Sequence, residues 1–324
     1  MDFDPETTLS LAGQDLDDTF NSVVPPLYQS AIFQFEDVGE TKGYDYTRSG
    51  NPTRTALEDT LADLDGGTGA VACATGMAAV STVTSLFDAD AHLICAHDCY
   101  GGTERLFSHL AERGTLAVSY EDLSDRNALA DAVRPETEAL ADRVDFTANA
   151  HGTVAAPFDS WLVLRGAKTL PVRLRQHETN ARAIAHFLND HPAVGRVCYP
   201  GLSGHPGHEI ARTQQNGYGG MVSFFVDPEQ VDVRAFLGST EVFALAESLG
   251  GVESLIEHPA TMSHASMAPD QRDEAGITDN LVRLSVGIES TDDLRRDLDQ
   301  SLTAAGPETS STERQHTSIP PVEA

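Results

Sequence analysis

A chain of 324 residues with 40% hydrophobic content is long enough for one large domain or two moderate ones. Fifty Asp and Glu face 21 Lys and Arg, a formal net charge of −29, and only two of the cations are lysines, Lys42 and Lys168. This balance excludes nucleic acid and anionic membrane as partners and is that of salt-adapted, halophilic proteins, whose self-repulsion concentrated salt screens.

No apolar run is long enough to span a bilayer, and Met1-Asp2-Phe3-Asp4 opens the chain without the apolar stretch of a secretory signal; a cytoplasmic location is expected. Residues 1–45 read as a mostly irregular N-terminal arm, with Pro25-Pro26 breaking regular structure. A helix is predicted from Pro52, capped by Asn51, with Leu57, Leu61 and Leu64 on one face and Gly66-Gly67 ending it. Ala70 to Ala74 reads as a strand, Thr75-Gly76-Met77 opens a second helix, and His92 to Ala96 reads as another short strand. The alternation implies an α/β architecture with a mostly parallel sheet.

In the second half, Ala181, Ile184, Ala185 and Leu188 mark a helical face that ends near His191-Pro192. Val194 to Tyr199, Met221 to Val226 and Asn280 to Ile288 are predicted strands. Thr291 is the predicted cap of a last helix, with Asp292 and Asp293 in its first turn and Leu294, Leu298 and Leu302 on one face. From about Ala304 the tail is polar and aperiodic, and disorder is expected.

Four cysteines, Cys73, Cys95, Cys99 and Cys198, form no disulfide framework in a chain of this length. Cys95-Ala-His97-Asp98-Cys99 lacks a second ligand pair, and His205-Pro-Gly-His208 lies on a turn rather than a helical ligand face; no metal is expected.

Thr75-Gly76-Met77-Ala78-Ala79 carries the most chemistry. The start of a helix offers free backbone N–H groups and a positive dipole end, and glycine lets an anion approach closely. A glycine that merely eases a tight strand-to-helix turn explains the motif as well. Tyr46-Thr47-Arg48 adds a phenol and a guanidinium suited to forked phosphate contacts if the segment is extended.

Together, Tyr46-Thr-Arg48-Ser-Gly-Asn-Pro-Thr-Arg54, Ala74-Thr-Gly-Met-Ala-Ala79 and Tyr100-Gly-Gly-Thr103 stand in the order and spacing of the transsulfuration enzymes, pyridoxal-phosphate (PLP) enzymes of cysteine and methionine metabolism. Longer matches follow at Pro157 to Leu170, His191 to Leu202, Ala246 to Leu255 and Arg283 to Glu289, so the resemblance covers about residues 20–303. It implies the PLP-dependent transferase fold type I (aspartate-aminotransferase-like) with a smaller C-terminal α/β domain. It also implies γ-replacement or elimination on a small sulfur or homoserine-derived amino acid, and a homo-oligomer, a tetramer in the family. Tyr46 and Arg48 would grip the PLP phosphate, in this family usually that of a neighbouring subunit, and Gly76 and Met77 would offer it backbone N–H groups. Tyr100, the catalytic candidate, would stack on the pyridine ring; Ser248 would sit beside the pocket; Arg283 would pair with the substrate α-carboxylate. Gly102 stands where methionine γ-lyases typically carry cysteine, and Glu247 before Ser248 resembles the cystathionine γ-synthase and γ-lyase pattern.

One segment of the family pattern is absent. The chain passes from Glu138 through Ala-Leu-Ala-Asp-Arg143 directly to Val144-Asp-Phe-Thr-Ala-Asn149, which matches sequence beyond the family's Schiff-base lysine. Several βα units are therefore missing, at about 15–20 residues apiece. With them go the aspartate that supports the pyridinium nitrogen and the lysine itself. Lys42 and Lys168 stand in other contexts, so covalent attachment at the usual site is lost, and partial non-covalent capture through the phosphate is what remains. The expected organisation is an arm at 1–45, an incomplete PLP-binding large domain at 46–165 with the gap near 138–143, a C-terminal domain at 166–303 and a disordered tail at 304–324. Three readings are carried forward: family chemistry; a non-catalytic deletion product or pseudoenzyme that joins homologous subunits; and a normal gene whose recorded sequence omits a segment.

Overall fold

The computed structural model describes residues 4–14, 17, 19–20, 22–38, 40–88, 91–123, 147–265 and 267–306. It divides into two compact units, Met1–Arg175 with Ser266–Ala275, and Gln176–Ala265 with Gly276–Ala324.

The first unit begins with a short helix inside the mostly irregular arm: α1, Pro5–Leu11. Pro5 sits in its first turn, where a missing N–H costs nothing, and Leu9 is buried. What holds it is remote in sequence. Lys168 Nζ donates to the carbonyls of Ser10 (3.2 Å) and Ala12 (2.9 Å), groups a helix end leaves unsatisfied. Ala12 packs with Ala56, Leu57 and Leu164 in a small apolar cluster.

Helix α2, Pro52–Asp65, follows the sequence rules: Asn51 Oδ1 accepts from Thr53 N at 2.9 Å, and Gly66 ends the helix at φ +64°. Its three-leucine face is not uniform, because Leu57 is buried whereas Leu61 is exposed. The run Ala70 to Ala74 is not a strand. Among the described residues it meets one neighbour over a single bridge, Cys73 with Val154, closed by Ala74 N to Thr153 O and Ala155 N to Ala72 O, both 2.7 Å. One bridge is too short a ladder to make a strand.

Beyond it come α3 (Gly76–Thr84), β1 (His92–Ala96), α4 (Gly101–Glu112) and β2 (Ala117–Glu121). Strands β1 and β2 pair in parallel from His92↔Ala117 to Ala96↔Glu121, giving the described part of this unit a two-stranded parallel sheet. Helix α5 (Pro157–Ala167) and the start of α6 (Leu170–Asn189) follow, and the border between units falls within α6.

In the second unit, β3 (Val194–Cys198), β4 (Met221–Val226), β5 (Ala244–Leu245), β6 (Leu255–Glu257) and β7 (Leu281–Ser285) form one sheet in the order β3-β4-β7-β6-β5. All its neighbours are antiparallel except β5 and β6. Short helices α7 (His208–Gln214), α8 (Val233–Leu237) and α9 (Pro269–Glu274) precede the last helix, α10 (Thr291–Ala304); α9 belongs to the first unit. The period of two along β4 sends Val222, Phe224 and Val226 into a core shared with Ile184 and Leu188 of α6 and Leu294, Leu298 and Leu302 of α10.

Thr291 is not the cap that its residue type suggests. It is the first helical residue, and its hydroxyl donates to Asn180 Oδ1 at 2.6 Å. Asp297 turns inward from α10, 3% exposed, and accepts from the amides of Glu241 (2.7 Å), Val242 and Phe243 (both 2.9 Å). Ala304 closes α10, Ala305 is buried and Gly306 N donates to Thr303 O at 3.3 Å, so the start of the expected disordered tail is ordered; its residues 307–324, like the expected gap near 138–143, lie outside the described residues.

Candidate active site

Tyr46 and Arg48 lie in a tight turn, not an extended segment: Ser49 N and Gly50 N both donate to Tyr46 O, at 2.9 and 3.0 Å. The Arg48 guanidinium consequently lies over the Tyr46 ring, 5.5 Å from its centroid, instead of standing beside it as a fork. The turn is built by residues to which the sequence gives no role. Arg54, buried in the first turn of α2, donates to the carbonyls of Thr47 (2.8 Å), Arg48 and Ser49 (both 3.3 Å). Its Nε is 3.3 Å from Glu58 Oε1, an ion pair too oblique for a hydrogen bond, and the same carboxylate oxygen accepts from Ala72 N at 2.9 Å. Arg54 and Glu58 thus link the Tyr46–Arg48 turn to the segment leading into α3. The signal was an Arg and a Glu four apart at the start of a helix, a spacing that usually means a solvated pair.

Gly76 and Met77 open α3. Thr75 caps it, its Oγ1 accepting from Ala78 N at 3.0 Å. The amides of Gly76 and Met77 therefore stand at the open end of the helix, where no intrahelical acceptor exists. A Cβ at Gly76 would meet nothing within 4 Å, so the side-chain position at this end of the helix is open. Met77 Sδ accepts from the Thr103 hydroxyl at 3.9 Å, joining α3 to the first turn of α4. Tyr100 immediately precedes α4 with its side chain 64% exposed. Its ring lies on Gly102, where a Cβ would come within 2.5 Å of Tyr Cε1; any larger residue there must displace the ring.

Ser248 and Arg283 belong to the second unit. Ser248 holds φ +95°, the one positive value on a non-glycine among the described residues, a conformation that is costly for an L side chain. Its carbonyl accepts from Arg283 Nη2 at 3.3 Å, and Arg283 Nε pairs with Glu257 Oε1 at 3.0 Å. Arg283 lies on the face of β7 opposite the core residues Val282 and Leu284, in register with Glu257 of β6 and Ser223 of β4.

The helix N-terminus, the open side-chain position at Gly76 and the exposed Tyr100 ring fit the phosphate and ring of PLP. They do not fit its covalent attachment. Lys42 is exposed and paired with Glu36 at 3.3 Å, while Lys168 is committed to the Ser10 and Ala12 carbonyls, with burial lowering its pKa. Among the described residues no cluster of three or more His, Cys, Asp or Glu is placed to hold a metal, and all four cysteines are free thiols. Next to Tyr100, burial first and then a hydrogen bond with Cys95 push the Cys99 thiol up to about 12. A raised pKa keeps the unreactive thiol form at neutral pH. Iodoacetamide modification of Cys99, followed by peptide mass analysis, is expected to stay slow at pH 8, where a free cysteine reacts, and to rise only as the pH approaches that value.

The family model for Cys/Met metabolism PLP-dependent enzymes matches residues 6–141 and 138–303, two pieces that meet where the sequence places the gap. Cystathionine beta-lyase of Lactococcus lactis subsp. cremoris is 37% identical over 374 residues, covering 92% of this chain and 98% of the relative. Human cystathionine gamma-lyase is 36% identical, covering 91% and 92%. The crystal structure of cystathionine gamma synthase from Xanthomonas oryzae pv. oryzae, in complex with aminoacrylate and cysteine, superposes with a TM-score of 0.88 at 37% identity, covering 94% of this chain and 98% of that one. An alignment of 374 positions against a chain of 324 residues leaves at least 50 positions filled only in the relative. In fold type I architecture and along nearly its whole length, this chain belongs to the PLP-dependent enzymes of cysteine and methionine metabolism.

Proposed function

We propose that this chain keeps the phosphate- and amino-acid-recognition elements of a transsulfuration enzyme of cystathionine γ-synthase or γ-lyase type and has lost covalent PLP catalysis. The observation that carries this reading is the state of the lysines. The sequence contains two, one paired with Glu36 and the other bonded to two backbone carbonyls, and neither stands in the family's Schiff-base context. No other side chain replaces a lysine amine in attaching the cofactor aldehyde. The phosphate end rests on the Gly76 and Met77 amides, with Tyr46 and Arg48 as further anion partners and Tyr100 against the ring. Ser248 and Arg283 receive a small sulfur or homoserine-derived amino acid. The working environment is a salt-rich cytoplasm, which the charge of −29 supports. Self-association, up to the family's tetramer, is supported by Phe158, Leu162, Val163 and Val172, large apolar side chains left exposed on α5 and α6.

The test is an absorbance spectrum of the purified chain with PLP in high salt, before and after borohydride. A visible change that saturates, is lost on gel filtration and is not fixed by borohydride is the expected outcome. A band fixed covalently to Lys42 or Lys168, located by peptide mass analysis, would show that a lysine has been recruited and would end the proposal.

A further inference from the structure

The Arg283 subsite holds a second charge, one that solvent barely reaches. Glu257 is 2% exposed and stands opposite Arg283 in the β6–β7 ladder, with Oε1 3.0 Å from Arg283 Nε. That contact is an ion pair and not a hydrogen bond. Among the described residues the carboxylate accepts one hydrogen bond, from the Ser263 hydroxyl to Oε1 at 2.8 Å, and Oε2 is buried with none. A buried carboxylate so sparsely hydrogen-bonded is costly, and apolar residues would join the two strands better. What Glu257 does supply is a negative charge fixed beside the guanidinium. Arg283 is the partner that meets solvent: its side chain is 23% exposed, and its Nη2 donates to the Ser248 carbonyl at 3.3 Å. The accessible group of the pair is therefore cationic, the inaccessible one anionic, and their charges sum to zero. A carboxylate that carries no cation of its own is attracted by Arg283 and repelled by Glu257 behind it. An amino acid brings an ammonium next to its carboxylate, so the field of Glu257 acts on its two groups with opposite sign. Glu257 is buried, and salt screens its field less than that of a surface charge.

We propose that Glu257 is a specificity-determining residue, which makes the Arg283 subsite take zwitterionic amino acids in preference to carboxylates that lack the ammonium. It acts through its charge alone and touches no ligand. The proposal rests on the reading of Arg283 as the α-carboxylate partner, and the test separates the two.

L-Alanine and L-lactate differ only in carrying an ammonium or a hydroxyl at Cα. Each is titrated into the full chain at one fixed, high salt concentration, and Kd is read by ligand-observed NMR. The wild type is expected to bind L-alanine about tenfold more tightly than L-lactate. Glu257→Gln, which keeps the shape and removes the charge, tightens L-lactate about tenfold and moves L-alanine by no more than about threefold. Glu257→Met, an apolar side chain of similar length, carries the same expectation and serves if the glutamine variant does not fold. A ratio of the two constants that stays at its wild-type value in both variants, with binding unchanged or weakened alike for both ligands, overturns the proposal and leaves Glu257 a structural residue. L-Lactate bound by the wild type as tightly as L-alanine overturns it too. Arg283→Gln abolishes binding of both ligands. Arg283→Gln binding like wild type, or no saturable binding of either ligand to the wild type, removes the carboxylate reading of Arg283 and the proposal with it.

Discussion

Inserting, between Glu138 and Val144, the stretch of the family pattern that this chain's sequence lacks is expected to give a chain that fixes PLP stoichiometrically. The stretch brings back the Schiff-base lysine and the aspartate that supports the pyridinium nitrogen, which the resemblance places there. The rest of the first unit is in position to receive them. Thr153 to Ala155, beyond the gap, already pairs with Ala72 to Ala74, before it, and Thr153 Oγ1 meets Thr82 Oγ1 of α3 at 2.8 Å. Segments on both sides of the insertion point therefore support the helix that would hold the phosphate. The measurement is the borohydride-fixed absorbance per chain, with the same insertion carrying lysine-to-alanine as control. An inserted chain that folds cooperatively but still loses all its PLP on gel filtration would mean that the defect lies in the retained residues and not in the missing segment.

Asp297→Ala is expected to lower the stability of the second unit by about 3–5 kcal/mol, the scale seen when a buried, fully engaged carboxylate is removed and its partners are stranded. Its two oxygens cap the amides of Glu241, Val242 and Phe243, and Gln300 Nε2 adds a fourth donor at 3.1 Å to Oδ1. Each amide left buried without an acceptor costs about 1–3 kcal/mol. Phe243 is itself part of the core, so water cannot reach the freed groups without opening it. Asp297→Asn keeps one acceptor oxygen and should lose roughly half as much. Denaturant titration in high salt reads both variants; an alanine variant within about 1 kcal/mol of wild type would show that the 241–243 loop finds other acceptors.

What the sequence disclosed and what it hid divide by range. Asn51, Pro52 and Gly66 act on neighbours within a turn, and α2 begins and ends where they say. Leu294, Leu298 and Leu302 face one way by the helical period, and all three are buried. Helix α1 escaped because its C-terminal carbonyls depend on Lys168, more than 150 positions away, a contact no local pattern encodes. Ala70 to Ala74 was misread for the converse reason: small apolar residues fit a strand, but a strand needs neighbours, and the described residues supply one bridge. Thr291 has the chemistry of a cap and uses it on Asn180. At the site, residue types in recognisable strings pointed to Tyr46, Arg48, Gly76, Met77, Tyr100, Ser248 and Arg283. Glu257 and Glu58 did not stand out, and Arg54 was only the end of a string with no role attached, because their meaning lies in register and burial, which appear only once strands and turns are in place.

The pairing of Thr153 to Ala155 with Ala72 to Ala74 has a consequence for the order in which the chain can fold. Bringing those two segments together closes a loop of about 80 residues here and one of about 130 or more in a relative that fills the missing positions. Loop-closure entropy grows only as the logarithm of length, so the shorter loop lowers the cost of closure by about 0.4 kcal/mol. The junction is thus slightly easier to form in this chain than in its relatives, and its contact order is lower. Refolding that is slower than in the intact relatives would therefore have to arise elsewhere, from apolar surface with nothing to cover it.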